Sequence, residues 1–138
     1  MSKAQRNTRS VTRRTSLVDR HLARLPVHES LQALSRYLDD LPVAALIADN
    51  TGSYVAANRA AVRLVGFSAD ELCAMSTWDL VRVDDHEIEV LWRNFLRGGT
   101  QRGTIKLRTK RGAVITARYA SQAHVLRGYH VSFLMKRR

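Results

Sequence analysis

The chain has 138 residues, of which 45% are apolar and 25% are charged. This composition is typical of a folded protein, and the length fits one domain of ordinary size rather than two. The 23 lysines and arginines outnumber the 12 acidic residues, so the formal net charge of +11 favours anionic partners. The single cysteine, Cys73, excludes an intramolecular disulfide and any metal site that is built from several cysteines.

The sequence also bears on location. No apolar run approaches the roughly 18 residues that a membrane-spanning helix needs. The N-terminus is polar and rich in arginine, and it lacks the apolar stretch of a secretory signal. One cysteine suits a reducing compartment. We therefore predict a cytoplasmic protein without a membrane span.

Residues 1–25 hold seven basic residues and one acidic residue, Asp19, for a net charge of +6. Residues 1–15 are almost free of apolar side chains, so we predict that residues 1–25 form a basic, largely disordered arm. Leu17, Leu22 and Leu25 are spaced as in a short helix at its end. The arm is either a solvated tail or a contact for nucleic acid, an anionic membrane or an acidic partner. Its candidate contact residues are Arg6, Arg9, Arg13 and Arg14.

Residues 26–41 predict a helix that begins near residue 28 and is stopped by Pro42. Its apolar residues follow the spacing i, i+3, i+7 and i+10, with a tyrosine beside them. They are Leu31, Leu34, Leu38, Leu41 and Tyr37. Such a narrow stripe is typical of a seam between paired helices, so these residues are candidate dimer contacts. Packing of the same stripe on its own domain is the alternative.

Residues 42–138 predict one domain that starts with a hairpin. Two short apolar runs, 43–48 and 53–57, flank a turn, and a short helix over Arg59–Val65 follows. Asn58 is a suitable N-cap for this helix, and Gly66 is suited to the position after its end. A capping box at Ser68 opens another short helix, and a further turn of helix surrounds Trp78.

A longer helix begins at residues 84–87, where acidic side chains favour the first turn. Its apolar residues recur at helical spacing until two glycines end it. They are Ile88, Leu91, Trp92 and Phe95. Residues 104–110, 115–119 and 129–133 then alternate between apolar and polar side chains. We predict an α+β fold, in which a five-stranded antiparallel sheet carries the short helices and the longer helix on one face.

The order of these elements, together with the residues at their turns and ends, resembles a PAS domain over about residues 36–136. The motifs that carry the resemblance are Leu41-Pro42, Asp49-x-x-Gly52, Asn58-x-Ala60, Leu64-x-Gly66-Phe67-Ser68, Glu71-Leu72, Trp78-x-Leu80-Val81, Asp84-Asp85, Phe95, Gly98, Gly112 and Gly128. The resemblance implies a sensory and interaction module. Such a module either binds a ligand or cofactor between the sheet and the longer helix or works without one. It also makes residues 26–41 look like the N-terminal cap helix that often mediates PAS dimers.

If such a cavity exists, its predicted walls are large and mostly apolar. They are Leu46, Trp78, Ile88, Leu91, Trp92, Ile105, Leu107, Ile115, Tyr119, Val131 and Phe133. The alternative is that these side chains simply fill the core. The only polar groups that this set offers are the two indoles and the hydroxyl of Tyr119, to which Tyr129 adds another.

The resemblance also tests two cofactors, and neither is expected. Light-oxygen-voltage photoreceptors bond a flavin to a reactive cysteine, and Thr77 falls near that position while Cys73 lies on the preceding short helix. Haem-binding members ligate iron through a histidine on the longer helix. The alignment puts Glu89 near that position, and His86 lies in the first turn among acidic residues. The cofactor therefore stays unknown.

An enzyme is not expected, because no nucleophile elbow, paired histidines or phosphate-binding glycine loop is present in the sequence. We therefore predict no catalytic and no metal-binding residues. Our first functional prediction is a signalling PAS module that binds a small ligand or a protein partner. It would act as a homodimer through a separate effector, for example in regulation of transcription.

Non-specific binding of nucleic acid is the alternative function. Four basic residues of the predicted strands would share the sheet face turned away from the helices, near the arm and residues 136–138. They are Lys106, Arg108, Lys110 and Arg118. No helix-turn-helix or zinc-finger pattern supports reading of base sequence. A solvated strand face, or one that binds an acidic helix, explains the same charges.

Overall fold

The computed structural model describes residues 16–137. Two helices, α1 (Leu17–Ala23) and α2 (Leu31–Asp39), precede a hairpin of β1 (Ala44–Asp49) and β2 (Tyr54–Ala57). Four helices follow, and they are α3 (Arg59–Val65), α4 (Ala69–Leu72), α5 (Thr77–Leu80) and α6 (Asp85–Gly98). The last elements are the strands β3 (Thr100–Arg108), β4 (Val114–Leu126) and β5 (Tyr129–Lys136). Within residues 16–137, no helix is both long and apolar enough to cross a bilayer.

The five strands form one antiparallel sheet in the order β2-β1-β5-β4-β3. The predicted α+β fold class is therefore confirmed. The last strand lies in the centre because β5 pairs with β1 on one side and with β4 on the other. Strands β3 and β4 are longer than predicted, since their pairing extends from Thr100 opposite Gln122 to Arg108 opposite Val114.

Local sequence signals place the helix ends. Ser30, Asn58, Ser68 and Asp84 each accept a hydrogen bond from the backbone N–H three residues later, as N-caps do. Gly66 ends α3 with φ at +83°, a left-handed conformation that a residue with a Cβ atom adopts only at a cost. The ends at Asn58, Gly66, Ser68 and Asp84 agree with the predicted ones, because caps act over three or four residues and need no tertiary context. Helix α2 instead begins at Leu31, three residues later than predicted.

The inner face of the sheet, as we name the face under α3–α6, packs against those helices. Its buried side chains form one apolar core with those of the helices. They include Leu46, Leu72, Leu80, Ile88, Leu107, Ala117 and Leu134. This layer is the one that the alternation in the sequence predicted.

The opposite, outer face is also covered, because α1 packs on β4 and β5 and α2 packs on β1 and β2. Leu34 and Leu38 are 0% and 2% exposed there, so the stripe predicted as dimer contacts packs on its own domain. The short helix expected around Leu17 and Leu22 is present as α1. Part of the predicted disordered arm is therefore ordered, because Val18 and Leu22 bury their side chains against the sheet. Residues 1–15 lie outside the described part of the chain.

Two residues of β5 that were predicted to line the cavity lie on the other face of the sheet. Val131 and Phe133 point to the outer face, into the core beneath α1 and α2. His130 and Leu134 point the other way, towards the helices of the inner face. A central strand that is buried on both faces carries apolar residues at successive positions, so its alternation does not tell which face holds the cavity.

Asn58 joins the two layers through four hydrogen bonds. Its side-chain oxygen accepts from the backbone N–H groups of Ala45 and Ala61, each at 2.9 Å. Its amide nitrogen donates to the carbonyls of Leu38 and Val43, each at 2.8 Å. The side chain is 3% exposed. One amide therefore ties the end of α2 on the outer face to β1 and to the start of α3 on the inner face.

We expect Asn58→Ala to lower the free energy of unfolding by at least about 3 kcal/mol, because it leaves several buried backbone groups without partners. Ser30→Ala is the control, since it removes a solvent-exposed cap of α2 and costs about 1 kcal/mol. Urea unfolding followed by circular dichroism measures both. Equal losses in the two variants would contradict the role of Asn58 as a joint between the layers.

Candidate ligand-binding cavity

A cavity of about 70 Å³ lies between the inner face of the sheet and α6. Seven of the eleven predicted residues line it: Leu46, Ile88, Leu91, Trp92, Ile105, Leu107 and Tyr119. Residues of the sheet and of α6 meet here because α6 crosses the inner face, where its apolar side chains pack against strands β3 and β4. The predicted place of the cavity, between the sheet and the longer helix, is where the structure has it.

Four predicted residues do not line the cavity. Val131 and Phe133 belong to the outer core, as described above. Ile115 packs at the border of the inner core, outside the cavity lining. Trp78 covers the turn between β1 and β2, where a Cβ atom on Gly52 would come within 2.5 Å of the indole ring. The indole of Trp78 thus packs against a turn and is not part of the cavity lining.

Nine further residues complete the lining: Tyr54, Thr77, Leu80, Val81, Phe95, Gln101, Ser121, Ser132 and Leu134. Gln101 and Ser121 were not predicted, because β3 was expected to begin, and β4 to end, too close to the β3–β4 turn. Carrying the alternation from Ile105 back to Gln101, and from Tyr119 on to Ser121, would have placed both on the inner face. No apolar pattern marks Ser132, which lies opposite Ser121 in the sheet.

Two polar networks lie in the cavity wall. The hydroxyl of Tyr119 donates to Oε1 of Gln101 at 3.3 Å, and Nε2 of Gln101 donates to the carbonyl of Leu91 on α6 at 3.2 Å. Deeper in the sheet, the hydroxyls of Ser121 and Ser132 are 2.7 Å apart. The first network connects α6 to β3 and β4. A ligand that competes for these hydrogen bonds would therefore weaken the attachment of α6 to the sheet.

The two tyrosines of the lining stay neutral. Burial raises the pKa of Tyr54 to about 12, and burial also raises the pKa of Tyr119. Both therefore keep their hydroxyl protons at physiological pH. The lining, which belongs wholly to the described residues 16–137, contains no charged side chain. Its chemistry suits a small neutral molecule with apolar surface and one or two polar groups, since a buried charge here would have no counter-charge.

The lining does not fit the two cofactors considered from the sequence. Thr77, near the position of the flavin-bonding cysteine, is in the lining, whereas Cys73 is exposed at the end of α4. Partial desolvation and the nearby carboxylate of Asp70 raise the pKa of the Cys73 thiol, which disfavours the reactive thiolate. Glu89 faces solvent, where it pairs with Arg93 at 3.2 Å. In residues 16–137, no three His, Cys, Asp or Glu side chains are grouped to hold a metal ion.

A buried histidine that was not predicted from the sequence lies next to the cavity. His130 is 2% exposed, and its Nδ1 accepts a hydrogen bond from the backbone N–H of His124 at 2.8 Å. The proton must therefore sit on Nε2, which lies 2.9 Å from Oδ1 of Asn50. Edge-on contacts with Trp92 and Phe95 complete its surroundings. Burial and the nearby His124 lower the pKa of His130 to about 4.

Asn50 connects this histidine to the cavity helix. The indole N–H of Trp92, in the cavity lining, donates to the carbonyl of Asn50 at 3.1 Å. Asn50 lies in the turn between β1 and β2, so the turn holds both α6 and β5. We name these three residues, Asn50, Trp92 and His130, the junction. The indole of Trp92, predicted as a polar group for a ligand, is therefore used to fix the helix.

The predicted basic face is only partly formed. Lys106 and Arg118 are exposed on the outer face of β3 and β4. Lys110 instead bonds Glu71 on α4, with 2.8 Å between Nζ and Oε2. Arg108 stacks on Phe67, with its guanidinium 5.6 Å from the ring centroid. Arg108 is the last residue of β3, and Lys110 lies beyond the end of this strand. Arg6, Arg9, Arg13 and Arg14 lie outside the described residues.

We expect stability to fall as the pH drops from about 6.5 to about 4, because the folded state holds His130 neutral while the unfolded chain takes up a proton. The lowered pKa makes this loss about 3 kcal/mol, and the contribution is fully present above pH 6.5. His130→Gln keeps a donor and an acceptor but does not titrate, so its stability should approach that of the wild type at pH 4. Urea unfolding at several pH values measures this.

His86→Gln is the control for this titration, because His86 is exposed on α6. It should follow the wild-type pH profile. Parallel profiles of the wild type and His130→Gln between pH 4 and 6.5 would contradict the assignment of the neutral state to His130.

Solved structures show the same fold. A domain of a sensory box sensor histidine kinase/response regulator from Geobacter sulfurreducens is 21% identical, with a TM-score of 0.66 over 75% of this chain and 90% of that chain. The PAS domain of an HTR-like protein from Haloarcula marismortui is 13% identical, with a TM-score of 0.67 over 77% and 90%. An RNA-binding light-oxygen-voltage receptor is 21% identical, with a TM-score of 0.63 over 80% of this chain and 36% of that chain. At these identities the similarity shows the fold alone.

No curated protein matches the chain. A family model described as the PAS fold matches residues 32–137, which is most of the chain and includes every residue of the cavity lining. The matched segment begins in α2, so α1 lies outside it. The sheet order, the cavity beneath α6 and this match agree, and the chain belongs to the PAS family.

Proposed function

We propose that this protein is a regulatory module that binds a small uncharged molecule in the cavity between the sheet and α6. The observation that carries this proposal is the neutral lining, in which Tyr119, Gln101, Ser121 and Ser132 offer hydrogen bonds among apolar walls. About 70 Å³ is space for roughly two water molecules, so the ligand has few atoms unless α6 moves outward.

The junction offers a route from the cavity to the rest of the chain. Trp92 contacts the cavity on one side and the carbonyl of Asn50 on the other. A ligand that displaces Trp92 would loosen α6 from the β1–β2 turn and from His130. Such a ligand would shift the population between two packings of α6, provided that it binds one of them better. PAS domains are generally sensory and regulatory, and this arrangement supports that role here.

We propose that the signal passes through a homodimer to a separate effector, of which a transcription regulator is one example. Because Leu34 and Leu38 are buried, the surface that we propose for self-association is the groove between α2 and the edge strand β2. Its lining mixes apolar and charged side chains. They are Leu31, Gln32, Ser35, Arg36, Asp39, Val55 and Ala56. A cytoplasmic location remains a prediction from the sequence.

We expect native mass spectrometry of the full chain, purified from cells, to show an additional mass from a bound neutral molecule. Ser132→Leu fills the cavity and should abolish this mass. Thr104→Leu makes the same kind of change on the exposed outer face of β3 and should retain it. Thermal unfolding checks that both variants fold. A wild type without bound mass, or a mass retained in Ser132→Leu, would contradict the proposed ligand site.

We expect Ser35→Arg to convert a dimer to a monomer, because it puts a long charged side chain in the middle of the α2–β2 groove. Light scattering after gel filtration measures the oligomeric state. The matched control is Val90→Arg, at an exposed position of α6 away from the groove. A Ser35→Arg protein that stays dimeric would place the contact elsewhere.

A further inference from the structure

Strand β3 is one edge of the sheet, and its free side is open over the first half of the strand. In an antiparallel strand, the backbone N–H and C=O groups of alternate residues face the partner strand, and those of the residues between them face away. The carbonyl of Gly99 accepts from the backbone N–H of Ala123 at 2.7 Å, so the odd-numbered residues of β3 face β4. The even-numbered residues of the open part therefore point their backbone groups away from the sheet. We name them the β3 edge: Thr100, Arg102 and Thr104.

The other half of the same side is already covered. The carbonyl of Lys106 accepts from the backbone N–H of Arg82 at 2.8 Å. Val81 forms an antiparallel bridge with Leu107, so residues 81–82 lie beside β3 as the beginning of a further strand. Among residues 16–137, the backbone groups of the β3 edge that point away from β4 have no hydrogen-bond partner, and its three residues are exposed. Such an unpaired edge can accept another strand.

The charge around the β3 edge indicates which kind of strand fits. Lys106 is exposed on β3, and Arg118 is exposed on β4 opposite Thr104. Neither of these two basic side chains has an ion pair among residues 16–137. The charge of Arg102, by contrast, is neutralised by Asp19 at 3.0 Å. Two unpaired positive charges therefore lie beside the edge, and they favour a strand with acidic side chains.

Two other occupants fit the edge less well. Residues 90–138 contain no acidic residue, so a second copy of β3 would bring its own lysine and arginine against those of the first. Like charges on neighbouring strands destabilise their pairing. Nucleic acid could contact the positive charges, but it has no peptide groups to pair with the backbone of the edge. Charge and backbone together therefore favour a segment of a different, acidic protein.

The edge also offers an apolar contact on the inner face. A Cβ atom on Gly103 would come within 3.3 Å of Cε1 of Tyr119, so the tyrosine ring lies beside this glycine. Gly103 is exposed, and Ile105 and Tyr119 are half-buried. The residue of an added strand opposite Gly103 would lie on this side, where an apolar side chain would cover the ring. Because side chains alternate along a strand, the residues before and after it face the outer face, where Lys106 and Arg118 lie.

We propose that the β3 edge binds an extended acidic segment of a partner protein as an added antiparallel strand. The segment carries an acidic residue opposite Thr104 and an apolar residue opposite Gly103. Main-chain hydrogen bonds supply the affinity, and the alternating side chains supply the specificity. The proposal rests on the proposed function only in that it identifies the partner as the separate effector, since this binding does not require a ligand in the cavity.

Fluorescence anisotropy of the full chain with the fluorescein-labelled peptide Thr-Val-Glu-Val-Glu-Val-Thr tests the main-chain pairing. The amide N–H groups of the two glutamates face β3, because residues opposite the β3 edge exchange hydrogen bonds with it. N-methylation of both glutamates should therefore weaken binding at least about tenfold. N-methylation of two valines, whose amides face away, should change the affinity less than about threefold. Equal effects of the two modifications would contradict pairing at the edge.

Thr104→Pro tests the same pairing from the side of the protein. The N–H of Thr104 points away from β4, so proline removes a donor for the peptide without breaking a hydrogen bond within the sheet. Binding should weaken at least about tenfold, whereas the matched control Thr104→Val keeps the N–H and should bind as the wild type does. Circular dichroism checks the fold, and the methylated peptides decide the question if Thr104→Pro does not fold. A folded Thr104→Pro protein that binds as tightly as Thr104→Val would overturn the proposal.

Lys106→Gln/Arg118→Gln should weaken peptide binding about fivefold at low salt and less at high salt, as the loss of two exposed ion pairs does. The matched control is Arg59→Gln/Arg63→Gln, at exposed positions of α3. It should change the affinity less than about twofold. Equal weakening in the two double variants would show that net charge alone attracts the peptide. That result, or an absence of binding by the wild type at about 1 mM peptide, would overturn the assignment of the site.

Two further measurements test the other occupants. Light scattering after gel filtration should give the same oligomeric state for Thr104→Pro and for the wild type. A dimer that becomes a monomer would mean that a second copy occupies the edge. An unlabelled DNA duplex of mixed sequence should displace the peptide poorly, and displacement as efficient as that by unlabelled peptide would mean that the surface binds polyanions in general. Either contrary result would overturn the proposal, while the mass bound in the cavity tests the proposed function independently.

Discussion

The buried amide of Asn58 is the constraint on which the two-layered arrangement depends. A strand hairpin and a short helix do not by themselves determine which helices cover which face of the sheet. Asn58 uses all its hydrogen-bonding groups at once, on the end of α2, on β1 and on the start of α3. Because these groups are buried and have no solvent to replace their partners, the positions of the outer and inner helices are coupled.

This coupling affects the cavity, because both faces of the single sheet are packed against helices. Side chains of β5 alternate between the core under α1 and α2 and the core next to α6. The junction of Asn50, Trp92 and His130 joins α6 to β5 and to the β1–β2 turn. A movement of α6 would therefore change the hydrogen bonds of the junction. His130 stays neutral in this setting because burial and the nearby His124 disfavour the charged imidazolium, and its two ring nitrogens have partners that match one neutral tautomer.

The two faces of strands β3–β5 differ in charge. The cavity side of β3–β5 is lined by neutral groups, while the outer side of the same strands carries arginine and lysine without acidic neighbours on those strands.

The sequence by itself determined the elements, the helix caps, the fold class and most of the apolar cavity wall, because caps, turns and periodicity act over a few residues. It did not determine which face of β5 meets the cavity, since a strand buried on both sides has no informative alternation. Nor did it reveal His130, the serines of the lining, or the burial of Leu34 and Leu38. Those depend on strand register and on which layer covers each face, and residues far apart in the chain decide both once they pack together.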